Sequence, residues 1–165
     1  MNDKIVLPPH LELEGVKLIF KNLKGEKTLY KPAGYRGFSV LIEDHDMAAH
    51  LISLGWPLKQ LNPPDADFPD DFSYHLPVRV NFDSRYPPQV FRVKGEDVLP
   101  LTESSVAMLD HATIMYADLD IAPNEWHVQG NSGISAYLNT MYAVVRQTRL
   151  DAKYAGFNYV NPGVA

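Results

Sequence analysis

The sequence predicts a mostly β domain with two short helices, its strands closing into a five-stranded barrel. Three observations carry that expectation. Apolar residues alternate with polar ones in most of the hydrophobic segments, the period of a half-buried strand. Only two segments, near residues 47–54 and 102–111, place apolar residues at helical spacing. The chain has 165 residues and 45% hydrophobic content, enough to bury a core without staples.

Taken in order, Leu11 to Phe20 alternates as Leu11, Leu13, then Val16, Leu18 and Phe20. The phase shifts by one at Gly15, which predicts a bulge there. Lys21 to Gly34 is polar and turn-rich and reads as a long loop; Gly37 to Glu43 is a second strand. Met47, Leu51 and Leu54 form a helical stripe that Asp44 or Asp46 caps and Gly55 stops. Pro57 to Leu61 reads as a brief strand, and 62–71 as an acidic surface loop. Tyr74 to Phe82 is a strand in which Pro77 points to an edge or a strand start. Val90 to Val93 is another. Thr102 to His111 is a helix with Thr102 as its N-cap and Val106 and Leu109 as its buried stripe. Strands over 113–121 and 125–129 split at Pro123; a turn over 130–133 leads into a long strand, 133–146. A helix ahead of the fourth main strand is the order of an oligonucleotide-binding (OB) barrel. A small sandwich or another α+β sheet gives a similar string. The expected division is an arm over 1–10, an OB-fold domain over 11–149 and a tail over 150–165.

The net charge is −5, yet it is unevenly spread. Residues 1–40 hold seven Lys/Arg against four Asp/Glu, and residues 41–75 hold one against seven. A locally basic face can bind phosphate on an anionic molecule. With no cysteine, disulfides and thiolate metal sites are excluded, and a cytoplasmic setting is expected. No apolar run approaches a membrane span, and 1–9 is no signal peptide.

Single-strand binding needs cations for the backbone and exposed rings for the bases. Residues 17–38 interleave the two: Lys21, Lys24 and Lys27, then Tyr30, Lys31, Tyr35, Arg36 and Phe38. A solvated loop with inward-turned aromatics is the competing reading. A second group is Arg79, Asn81, Phe82, Arg85, Tyr86 and Arg92, in which Arg79 and Arg92 would form one patch on neighbouring strands; pairing with acids such as Asp83 or Asp97 competes. Trp126, at a strand start, could stack a base or pack. Asp118 and Asp120 share a strand face, the arrangement of a metal nuclease, although solvated acids explain them more simply. No metal-ligand spacing, phosphate loop or nucleophile elbow appears, so neither a catalytic residue nor a cofactor is expected.

Several segments resemble a family of phage-encoded single-stranded DNA-binding proteins with an OB fold. They are LEGVKLIFKNLKG (13–25), GYRGFSVLI (34–42), PPQVFRV (87–93), SSVAMLDHATI (104–114), WHVQGNSGISAYLNTMYAVV (126–145) and AKYAG (152–156), about two fifths of the chain in matching order. The resemblance implies sequence-nonspecific binding of single-stranded DNA in replication or recombination of phage DNA. It also admits replication or recombination proteins as partners and a homo-oligomer as the assembled form. The chain departs from the acidic tail frequent among such proteins, since 150–165 contains one acid, Asp151. The alternative is a protein-interaction module on the same barrel, a phage inhibitor of a host enzyme acting through the acidic segment 41–75.

Overall fold

The computed structural model describes residues 6–154. The first predicted strand forms as two: β1 (Leu11–Val16) and β2 (Leu18–Asn22), separated by Lys17. Gly15, at φ +64°, lets the backbone turn, and the register slips between Leu13 and Val16 as the alternation predicted. β3 (Arg36–Ile42) follows the long loop. Helix α1 (His45–Ser53) is capped by Asp44, whose carboxylate accepts from the N–H groups of Asp46 and Met47. Then come β4 (Lys59–Leu61), β5 (Ser73–Val80), the hairpin β6 (Gln89–Lys94) and β7 (Asp97–Leu101), α2 (Met108–His111), β8 (Ile114–Val128), β9 (Asn131–Val145) and α3 (Arg149–Lys153).

The pairing order is β1-β8-β9-β5-β3-β2. Because β1 and β2 are consecutive, the path returns to the strand from which it began. Lys17 between them still accepts a bond from the Leu41 N–H at 3.0 Å. Five strand paths therefore surround the core, the first one bent, with β5 and β9 meeting in parallel at Val78↔Ala136 and Arg79↔Tyr137. Three further strands lie outside this ring: β4 pairs with β5, and β6 joins the C-terminal half of β9 and carries β7. The core is built from the inward residues of every ring strand, among them Leu13, Val40, Leu76, Val78, Ile121 and Met141. These are the positions the alternation marks.

Several expected elements differ. β8 runs unbroken through Pro123, because β1 pairs only as far as Ile121 and leaves that edge of β8 free beyond it. Pro77 likewise lies in mid-strand, between the end of β4 pairing at His75 and the start of β9 pairing at Val78. The expected helix 102–111 shrinks to α2. Its first residues form turns in which the Thr102 N–H donates to Ser105 Oγ at 2.8 Å, local bonding that competes with the helix. The hairpin turn is Gln129–Gly130, both at positive φ, rather than 130–133. β7 has no counterpart among the expected strands; it is short, exposed except at Leu101, and runs through Pro100. α3 makes a third helix where a tail was expected to begin, started by a Thr148–Asp151 capping box. The remainder of that tail, 155–165, and residues 1–5 of the arm lie outside the described residues.

Candidate nucleic-acid interface

The outward face of β3 and β5 forms the floor of a groove. On β3 it is made by Gly37 and Ser39, and on β5 by Pro77 and Arg79, residues that alternate with the buried Phe38, Val40, Leu76 and Val78. The loop 23–35 and the β8–β9 hairpin rise on its sides, giving a concavity of about 630 Å³. In an OB barrel this face, flanked by these two connections, takes oligonucleotides.

Tyr35 is the centre of its charge pattern. The Lys31 ammonium lies 4.4 Å from the Tyr35 ring centroid and the Arg79 guanidinium 4.7 Å. Arg79 also donates to the Tyr137 hydroxyl at 3.2 Å and lies 5.7 Å from that ring. Neither cation has a carboxylate partner among the described residues. They are oriented by rings, which leaves their charge available to an anion. Trp126 reaches the groove from the hairpin and is 37% exposed. Its cross-strand partner is Gly133, and a β-carbon there would stand 2.6 Å from Trp126 Cζ2. The missing side chain is what lets the indole lie across the hairpin.

The expected residues thus divide. Lys31, Tyr35, Arg79 and Trp126 line one groove. Lys27 and Tyr30 project from the same loop, with Tyr30 86% exposed. Lys24 is exposed but pairs with Glu26 at 3.3 Å. Lys21 faces the opposite way: its ammonium donates to the carbonyls of Leu109 and Ala112 at 2.8 and 3.1 Å. Burial pushes that ammonium below its ordinary pKa, and the Asp110 carboxylate offsets part of the shift. Phe38 is 3% exposed and belongs to the core, so its ring offers no face to a base. Arg36 alternates with it on the inward side, at the barrel end, paired to Glu103 at 3.1 Å and 5.9 Å from the ring of Phe82. Phe82 itself packs against the core. Tyr86 is exposed beside Arg85 on the β5–β6 connection, outside the groove lining.

The expected Arg79–Arg92 patch does not form. Arg79 sits opposite Tyr137 and Arg92 opposite Ala143, six residues apart along β9, roughly 20 Å at about 3.3 Å per residue. Arg92 does lie opposite Phe91 and Val93, but those two face outward: the Phe91 ring stacks on Tyr142 at 4.7 Å. Arg92 therefore shares the inward side with the buried Val90.

Three groove residues were not anticipated: Phe20, Lys59 and Tyr137. The alternation of Ile134, Ala136 and Leu138 inward already turns Tyr137 outward. The alternation puts Phe20 among the inward residues, yet it is 64% exposed, because its φ of +54° reverses the alternation. A left-handed φ on an aromatic residue costs about 1–2 kcal/mol. Its ring packs edge-on to His75, 5.4 Å away. His75 bonds Ser39 Oγ at 2.9 Å, and burial, then the charge of Lys59, hold its pKa below the ordinary histidine value. Asp118 and Asp120 are spent on structure: Asp118 accepts from the Gly15 N–H, and Asp120 contacts His10 and Asn139. No cluster of three metal-ligating side chains occurs among the described residues, and no helix there is long and apolar enough to cross a membrane.

The family model of the phage ssDNA-binding domain matches residues 2–165. The fold is similar to the single-stranded DNA-binding protein of bacteriophage Enc34 in complex with ssDNA, with a TM-score of 0.54 at 14% identity over 84% of this chain and 88% of that one. A second structure of the Enc34 protein gives 0.52 at 15% identity, over 94% and 88%. Its C-terminal truncation gives 0.53 at 12% identity, over 84% and 87%. No curated protein matches the chain.

Proposed function

This chain belongs to the phage ssDNA-binding domain family and is a single-stranded DNA-binding protein, and we propose that the strand lies in the Tyr35–Arg79 groove. The single observation that carries this placement is the Tyr35 ring with Lys31 and Arg79 against it, neither cation neutralised by a carboxylate. Lys31, Lys59 and Arg79 supply charge for phosphates. Phe20, Tyr35, Trp126 and Tyr137 supply faces for bases. Stacking of this kind contributes about 1–3 kcal/mol per base and accepts any base, so the binding is sequence-nonspecific. Lys27 and Tyr30 extend the interface along the loop. The protein acts by holding the strand, without catalysis or a cofactor, in replication or recombination of phage DNA in the host cytoplasm. Replication or recombination proteins are its partners beyond DNA. The barrel over 11–149 carries the binding, with 1–10 as an arm and 150–165 as a tail.

Fluorescence anisotropy of a labelled oligo-dT across a salt series tests this. Binding should weaken linearly in log[salt], with a slope of about −0.7 per phosphate neutralised. A mixed-sequence oligonucleotide should bind with comparable affinity. Loss of binding in a folded Tyr35→Ala/Arg79→Ala double variant supports the groove; unchanged affinity places the strand elsewhere.

A further inference from the structure

A second concavity, of about 450 Å³, lies between β6, the end of β9, α2 and the start of α3. Arg92, Lys94 and Arg146 line it, together with Thr113, Thr148 and a single carboxylate, Asp151. Asp151 is already committed. It pairs with Lys94 at 3.0 Å and accepts from the Thr148 N–H and hydroxyl at 2.9 and 2.8 Å. Those bonds, Thr148 first and Lys94 after, hold its carboxyl down to about 2. Arg92 and Arg146 have no side-chain partner among the described residues, and the Arg92 Nε is buried without a hydrogen bond.

The contrast with Arg36 is informative. Its Nε is also buried and unbonded, but Glu103 neutralises the guanidinium. Arg92 shares the inward side of β6 with Val90, in a chain whose net charge is −5, and no acid answers it. A buried donor left without a partner costs about 1–3 kcal/mol, which favours an acceptor that reaches the Arg92 guanidinium. Three cations facing one committed carboxylate select an anion. Two guanidiniums, each with donors arranged in a planar fork, suit phosphate oxygens in particular.

We propose that the Arg92–Arg146 concavity is a second phosphate subsite, occupied by the phosphodiester backbone of a strand that extends beyond the groove. The inference rests on the groove reading above. The two sites are separated by roughly 20 Å along β9, and a strand that fills the groove and continues to the second site stays within the roughly 4–16 nucleotides one OB fold occupies. A short oligonucleotide then fills the groove alone, and a longer one reaches both.

The test compares oligo-dT of about 5 and about 16 nucleotides, the two ends of that range, on the full chain and on Arg92→Gln/Arg146→Gln. The variant should bind the short strand as the parent does and the long strand about tenfold or more weakly. Its long-strand salt slope should be shallower by about 1.4, two phosphates at about 0.7 each. Asp151→Asn guards against misfolding at Arg92: removing the competing carboxylate should strengthen long-strand binding and leave the short strand unaffected. Equal affinities of parent and variants for the long strand, with short-strand binding intact, overturn the second subsite and leave the groove standing. Failure of the parent to bind the short strand overturns the groove instead. Thermal stabilisation by inorganic phosphate that Arg92→Gln/Arg146→Gln abolishes, with long-strand binding unchanged, assigns the site to free phosphate and overturns the DNA assignment.

Discussion

The basic N-terminal third supplies cations to two places that treat them in opposite ways. At the junction of β2 with α2, the Lys21 ammonium is held by two backbone carbonyls. There the Asp110 carboxylate accepts the N–H groups of Leu23 and Lys24 at 2.8 and 2.9 Å. In the groove, Lys31 meets Tyr35 and no acid, and Arg79 joins it from β5. The first site closes the barrel end and consumes its charge. The second sets its charge against aromatic rings, with no carboxylate partner among the described residues. Spacing along the chain does not separate the two, since Lys21 and Lys31 both lie beside aromatic residues in sequence; what each side chain finds as a partner does.

The largest effect should come from the junction. Asp110→Ala leaves the part-buried Leu23 donor without its acceptor and should lower unfolding free energy by about 1–3 kcal/mol. Denaturant titration reads this, and the folded fraction should still bind oligo-dT normally. An unchanged midpoint would show that the junction is not structural. Next comes the groove. Tyr35→Ala should weaken DNA binding by about 1–3 kcal/mol while leaving the denaturation midpoint in place, the reverse of the Asp110 result. Arg79→Gln should in addition flatten the salt slope by about 0.7.

A smaller effect distinguishes ring from backbone at Phe20. Phe20→Gly and Phe20→Ala both remove the stacking face, so both should weaken DNA binding. At φ +54° glycine escapes the steric cost that alanine bears, so the glycine variant should be the more stable by about 1 kcal/mol. Equal stabilities would contradict the left-handed backbone. Smallest is the pH response of His75, whose folded pKa is depressed by burial and then by Lys59. The unfolded chain takes up its proton first. Stability from this group is therefore present above the ordinary histidine pKa of about 6.5 and declines as pH falls through that value toward the folded one. His75→Gln should remove that part of the acid dependence in a stability–pH profile; an unaltered profile counts against it.

Much of the barrel is legible in the sequence because its signal is local. The alternation in 11–20, 74–82 and 133–146 marks the inward residues, and the phase shift at Gly15 marks the bend that lets one strand pair with two neighbours. The Asp44 cap of α1 is equally plain. What stays hidden depends on distant partners. Pro123 looks like a strand break until the free edge of β8 is known, and β7 exists because β6 offers it an edge. The site divides along the same line. Composition places cations and rings between 17 and 38, and of these Lys31 and Tyr35 line the groove. Phe38 and Arg36 fall inward because β3 pairs with β5 in one register, Phe38 opposite Val78 and Arg36 opposite Val80. Arg92 turns away from the groove face because Phe91 takes the outward position beside Tyr142. Phe20 was hidden by a single backbone angle.

The location of the strand is tested most directly by photo-crosslinking. An oligo-dT carrying iododeoxyuridine is irradiated on the protein, and the adducts are mapped by mass spectrometry. The groove reading predicts adducts at Phe20, Tyr35, Trp126 or Tyr137, lost when excess unlabelled oligo-dT competes. Competed adducts confined to the acidic loop 62–71, or to the Phe91–Tyr142 face, with none in the groove, would contradict it.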